Sequence, residues 1–435
     1  MRDFDLLVRH PAQDIGIAEG KIVRLGENLD GSARTEIDAS ALAIFPGVID
    51  AHVHFNEPGR TDWEGFATGS RAAAAGGTTA VFDMPLNSHP PTIDGPAFDL
   101  KRAAAEKDSL VDFGLWGGLV PGNLPQLETL RGRGVVGLKA FMCNSGIDDF
   151  PEVDTATLRA GMKRAAELDL LVAVHAESEE MTHRLTSEKI TTGKTSVSDF
   201  LAARPVEAEL DAIRCALDLA VEAGCRLHIV HVSTARGVRL VAEARAHGLD
   251  ATCETCPHYL LLTADDMERL GAVAKCAPPL RSASELEQLW QALPQVSTLG
   301  SDHSPAPWTM KTKENFFEVW GGISSCQHLL PLLFDCGKTT SAEISRLTSE
   351  SVATRFRLSA KGGIEIGKDA DLTLIDPLAE ESITTESLHY RHHHSPYVGR
   401  TLRGRVVRTL LRGKTIFENG RFLGGPSGRF LRPLP

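Results

Sequence analysis

Between residues 44 and 305 the chain alternates between short apolar runs and stretches with helical periodicity. The runs span 44–54, 78–84, 111–119, 134–142, 169–175, 225–232, 250–256 and 296–302. A strand followed by a helix, repeated this way, buries its apolar faces best as a parallel sheet with the helices outside. The alternation therefore predicts a (β/α)8 TIM-like barrel. The clearest helical stretch runs from Pro205 to Ala223, where Val206, Leu210, Ile213, Leu217 and Val221 recur every three or four positions. Pro205 suits a first helical turn and Gly224 a stop. A doubly wound sheet is the weaker reading, because no G-x-G-x-x-G follows the first run.

Both ends of the chain read differently. Ile15 to Val23 is a hairpin pattern around Gly20, and Lys414 to Phe422 is a second one. Asp371–Ile375 and Val406–Leu411 read as further strands. Strands at both ends and a barrel between them predict one small β-sandwich domain built from 1–45 and 366–435, around a catalytic barrel over 46–365. A chain of 435 residues is long for one core, and this arrangement absorbs the length.

Charge narrows the partners. Lys and Arg total 46 against 57 Asp and Glu, a net −11, which disfavours nucleic acid and anionic membranes. Arg400, Arg403, Arg405, Arg408 and Arg412 alternate with apolar residues and read as outward strand faces. No run is long and apolar enough to span a bilayer, and the first residues are acidic rather than signal-like, so the expected compartment is the cytoplasm. The eight cysteines are then expected as reduced thiols. Cys253 and Cys256 form a lone C-x-x-C; a structural zinc site needs a second pair, and none exists.

Barrel enzymes place their chemistry where strands end, so the last residues of each run matter most. The first run ends in His52-Val53-His54, two imidazoles on one side of a strand. The fourth carries Lys139 within an apolar run, where desolvation favours the neutral amine. The fifth ends in His175, the sixth in His231 and the eighth in Asp302. His228, three residues before His231, points the other way and reads as packing. Each residue alone has an ordinary structural explanation. Five strand ends carrying such groups at one mouth point to a metal centre. Glu254 and His258, at the seventh, read as support for the ligands. His392-His393-His394 reads as a structural strand end.

This set resembles the amidohydrolase superfamily, in its cyclic-amidase branch of hydantoinases (dihydropyrimidinases), dihydroorotases and allantoinases. The resemblance covers nearly the whole chain and is strongest to the allantoinases. It rests on the stretch from His52 to Phe66, on Asp83-Met84-Pro85-Leu86-Asn87-Ser88, and on His394-Ser395-Pro396-Tyr397. It implies two divalent metals, one held by His52, His54 and Asp302, the other by His175 and His231. Lys139, as an N6-carboxylysine formed with carbon dioxide, would bridge them. Zinc is the expected metal; cobalt, manganese and iron suit the same donors.

Two departures separate the branches. Dihydroorotases resemble H-x-H-x-R, but Asn56 stands at the Arg position. Hydantoinases carry a Tyr five residues after the bridging Lys, where this chain has Asn144 followed by Ser145. An open polar pocket suits a ureido-bearing ring such as allantoin. Asn56 and Ser145 are the expected substrate contacts, with Ala277 and Gly322 contributing backbone groups as the resemblance implies. The expected reaction is hydrolysis of allantoin to allantoate in purine catabolism, with Asp302 as both ligand and general acid/base. The alternatives are a hydantoinase acting on a related ureide and a silent scaffold; filled ligand positions argue against the latter. The resemblance also implies a homotetramer.

Overall fold

The computed structural model describes residues 3–434. Its centre is a ring of parallel strands: Val48–Val53, Thr78–Asp83, Asp112–Leu115, Leu138–Phe141, Leu171–His175, Arg226–Ile229, Ala251–Thr255 and Thr298–Leu299. Neighbours pair in sequence order. The third strand is broken at Trp116: Asp112–Leu115 pairs with the second strand and Gly117–Gly118 with the fourth. A parallel bridge between Val53 and His303 closes the ring. Helices cover the outside, which is why the strands read as continuous apolar runs rather than alternating ones.

The first apolar run serves two sheets. Ala43–Pro46 pairs antiparallel with Leu372–Ser382, and Val48–Val53 begins the barrel. The switch falls at Gly47, whose N–H donates to the Asp371 carbonyl at 2.8 Å. A Cβ there would lie 2.2 Å from Thr79 Oγ1, so the chain can cross against the second strand only as glycine.

The termini form the expected β-sandwich. Phe4–Arg9, Asp14–Ala18, Lys21–Gly26 and Ala33–Asp38 make one sheet; Ala43–Pro46, Leu372–Ser382, Thr401–Leu411, Lys414–Glu418 and Arg421–Phe422 make the other. Leu6, Val8, Ile15, Ile17 and Ile22 pack with Leu372, Leu374 and Leu410 between them. Glu19-Gly20 and Asn419-Gly420 turn the two hairpins, all four with positive φ.

Three expectations need correction. The helix forms over Val206–Ala223 and stops at left-handed Gly224, but Val221 is 65% exposed while Leu210, Ile213 and Leu217 are buried. Each step of four advances the stripe by about 40°, and two such steps after Ile213 carry Val221 off the core face. Arg412 is not an outward strand residue: it pairs with the buried Asp112 at the barrel's foot. There Lys361 Nζ sits 2.6 Å from both Asp112 and Asp371, so that carboxylate cluster is already neutralised. Residues 392–394 lie in irregular chain at the mouth, not at a strand end. His392 and His394 contact the carbonyls of Asp62 and Ala306 at 2.8 and 2.9 Å.

Candidate active site

The five strand ends converge on one mouth of the barrel. His52 Nε2 and His54 Nε2 lie 3.2 and 3.4 Å from Asp302 Oδ1. One ligand atom from each of these three residues lies within 4.8 Å of the others. The rings of His175 and His231 meet edge to face at 4.5 Å, and the His52 and His231 rings are 5.5 Å apart. Phe141 stacks on His175 at 4.5 Å. His52, His54, His175, His231 and Asp302 all line a cavity of about 610 Å³.

Lys139 is fully buried, and its Nζ has no hydrogen-bond partner. Burial pushes the amine down to about 7, although Asp302 and Glu254 pull the other way. An unpartnered buried amine is costly and has to be explained by chemistry rather than packing. Burial opposes ionisation of Asp302 too, yet His52, His54 and His231 hold its carboxyl well below the usual range. Burial, then His175 and Lys139, press His231 toward the neutral form that ligates a cation.

Carboxylates behind the rings orient them. Glu254 Oε1 lies 2.7 Å from His52 Nδ1, which leaves Nε2 facing Asp302. Burial raises the Glu254 carboxyl, but His52 and His228 bring it down to about 2. Gly300 makes room for it: a Cβ there would come within 2.5 Å of Glu254 Oε2. Glu177 Oε2 sits 2.9 Å from His175 Nε2 and accepts from Arg204 Nη1 at 2.5 Å. With Nε2 engaged, Nδ1 is the His175 atom left for a ligand. Asn87 contacts His54 Nδ1 at 3.3 Å; for Nε2 to bind a metal, the amide must present its oxygen there. His231, Asp302, Asn56 and Asn87 all have positive φ, a clustering typical of functional sites.

The other expected residues are placed as follows. Ser145, Ala277 and Gly322 line the cavity. Ser145 Oγ donates to the Phe150 carbonyl at 2.6 Å. Gly322 N–H donates to the Lys275 carbonyl at 2.8 Å. Asn56 is buried outside the lining, its amide donating to the Pro305 carbonyl at 3.3 Å. His258 opens the short helix Pro257–Leu261, and neither ring nitrogen has a partner. His228 contacts Thr252 Oγ1 at 2.8 Å, on the packing side. Sequence reading passed over Glu177, Arg204, Lys275 and Lys311. Glu177, two residues after His175 in a run otherwise apolar, was the one visible signal.

Residues 52–66 and 83–88 meet at this mouth, and the chain just before His394 packs on the first of them. Asp83 Oδ1 accepts the Phe55 N–H at 2.6 Å and pairs with buried Lys101. Glu64 accepts the Arg391 N–H at 3.1 Å, and Ser395 Oγ donates to the Ser324 carbonyl at 2.7 Å.

A parallel barrel whose strand ends gather histidines and an aspartate defines a metal-dependent barrel hydrolase. The model described as the Amidohydrolase family matches residues 43–416, and the chain belongs to that family. An allantoinase of Rubrobacter xylanophilus is 56% identical over 100% of this chain and 98% of its own length. One of Solibacter usitatus is 52% identical over 97% and 93%. Among solved structures, an L-hydantoinase (dihydropyrimidinase) from Arthrobacter aurescens superposes with a TM-score of 0.96. It has 33% identity and covers 99% of this chain and 100% of that one. A dihydropyrimidinase from Brevibacillus agri gives a TM-score of 0.90 at 31% identity, over 100% and 99%.

The carboxylate behind His52 supplies a test. Glu254→Gln is expected to weaken metal affinity about 10- to 100-fold while the fold persists. Chelator competition measures it; wild-type affinity would show that His52 needs no such partner.

Proposed function

We propose that this enzyme hydrolyses allantoin to allantoate at a pair of divalent metals. The observation that carries the reading is Lys139: a sealed, unpartnered amine among four imidazoles and an aspartate held in its anionic form. Those donors fit two cations and a carbamate on Lys139. His52, His54 and Asp302 would hold one ion, and His175 Nδ1 and His231 the other, with zinc the expected metal. When bound, the ions supply Lewis acidity, lowering the pKa of water from ~16 to about 7 and polarising the amide carbonyl.

The chain's own groups do the rest. Asp302 accepts the proton of the attacking water and returns it to the ring nitrogen as the C–N bond breaks. Asp302 thus carries one of the water's two protons to the new N–H; the other stays on the new carboxyl group and leaves to solvent as the carboxylate forms. Asn144 and Ser145 leave the cavity without the phenol that the hydantoinase pattern places there, making room for a ureido arm. The named allantoinase relatives support this choice. The terminal segments 1–45 and 366–435 act as one small domain around the 46–365 barrel. Homotetrameric assembly and residence in the cytoplasm belong to the same proposal; among the described residues no helix is long and apolar enough to cross a membrane.

The second reading, a hydantoinase, is favoured by the structural likeness to the Arthrobacter enzyme. A panel of racemic allantoin, hydantoin, dihydrouracil and dihydroorotate separates them. Allantoin is expected to turn over fastest, with two metals per chain on the same sample. A fully metallated enzyme that ignores allantoin but opens hydantoin would reverse the order.

A further inference from the structure

Beyond the metal-centre residues, the strongest feature of the cavity is a pair of buried ammonium groups. Lys275 and Lys311 are almost fully buried, at 4% and 3% exposure. Among the described residues neither pairs with a carboxylate; both are caged by backbone carbonyls. Lys275 Nζ donates to Phe316, Phe317 and Val319 at 2.6, 3.1 and 2.5 Å. Lys311 Nζ donates to Ala272, Trp320 and Gly322 at 3.1, 2.9 and 2.7 Å. Five of those six carbonyls belong to one segment, residues 316–322.

That segment has little regular structure of its own. A single 3-10 turn, Phe316–Glu318, precedes irregular chain. Yet Phe317 through Gly322 form one wall of the cavity, and Lys275, Cys276 and Ala277 continue it. Two backbone bonds reinforce the arrangement: Trp320 N–H to the Met310 carbonyl at 2.9 Å, and Gly322 N–H to the Lys275 carbonyl at 2.8 Å. An irregular loop normally stays mobile at the surface, because its carbonyls need water. Here two fixed cations replace that water. Phe200 and Phe316 flank the Lys275 ammonium at 4.6 and 5.2 Å and keep solvent out. Burying two charges without counter-ions is expensive, and burial pushes both amines down to about 7. A fold that needed only a closed loop could have used apolar contacts at less cost.

We propose that Lys275 and Lys311 are positioning residues that brace segment 316–322 as the substrate-facing wall, and so set selectivity for the substituent carried by the ring. The proposal rests on the reading of this cavity as the cyclic-ureide site. Each ammonium directs its three donors at backbone carbonyls rather than into the cavity. They act through the backbone, by pulling its carbonyls outward and holding the opposite side against the ligand.

The test uses Lys275→Met and Lys311→Met in the full-length metallated enzyme. Methionine keeps the volume and leaves the caging carbonyls unpaired. Hydrogen exchange of peptides covering 308–322 is expected to quicken by about tenfold or more, since each buried unpaired carbonyl destabilises the closed loop. KM is expected to rise about tenfold, with kcat falling no more than about threefold, as for lost ground-state and transition-state binding alike. Metal content stays at the wild-type level. KM is read on whichever ring the wild-type enzyme opens, so a failure of allantoin leaves this test intact. Should either methionine variant fail to fold, Lys275→Gln and Lys311→Gln, which retain two donors, take its place with smaller shifts in the same direction. Unchanged exchange in the loop overturns the brace. Faster exchange with unchanged KM overturns the role in selectivity, and so does a loss of metal and kcat at constant KM.

Discussion

Replacing Lys139 with alanine is expected to remove both metals and abolish hydrolysis together. The side chain is fully buried, and its amine makes no hydrogen bond, so its loss breaks no polar contact of the fold. What disappears is the amine proposed to become the bridging carbamate. Without it, four imidazoles and one aspartate must hold two cations with one negative charge. Turnover is expected to fall by at least ~10⁴-fold, since the depressed water pKa and the carbonyl polarisation vanish together. Metal analysis after chelator-free purification should find far less than the wild-type content. A short carboxylic acid such as propionate, small enough for the space vacated, should restore part of both. A Lys139→Ala enzyme that keeps two metals and near-normal activity would falsify the carbamate.

Asp302→Asn is expected to separate metal binding from chemistry. Asparagine keeps one oxygen for a cation but cannot accept and return a proton. It also suits the backbone: Asp302 has φ +46°, a region that aspartate and asparagine enter more readily than alanine does. The fold and most of the metal should therefore survive. The rate is expected to drop by about 10²- to 10⁴-fold, the usual share of a positioned acid/base. The loss should appear in kcat and in kcat/KM alike, because the proton transfer belongs to the transition state. Activity within a few-fold of wild type would mean that another group moves the proton. His258, buried nearby with two unpartnered nitrogens, would then be the next residue to replace.

Much of this was legible in the linear chain. Alternating apolar and helical periods announced the barrel, and turn residues such as Glu19-Gly20 announced the terminal hairpins. The proposed ligand set stood out in the chain because its members end apolar runs or, like Lys139, interrupt one, where a polar residue needs a reason. Glu254 was visible for the same cause. Where pattern reading failed, it extrapolated a local rule past its range. Val221 continued a periodic stripe beyond the surface it was meant to cover, and Arg412 looked like one more outward arginine.

What sequence by itself determined, then, is the residue types, their order and their local periods, because those follow from chemistry within a few positions. Tertiary structure alone decided the pairings across long separations. It sets Glu254 against His52, 202 residues apart, and thereby fixes which nitrogen faces Asp302. It puts Arg204 on Glu177, the carboxylate that engages Nε2 of His175. It closes the carbonyls of 316–322 around Lys275 and Lys311. Hydrogen bonds and charges act over a few ångströms, and only closing the barrel brings these distant positions within that range.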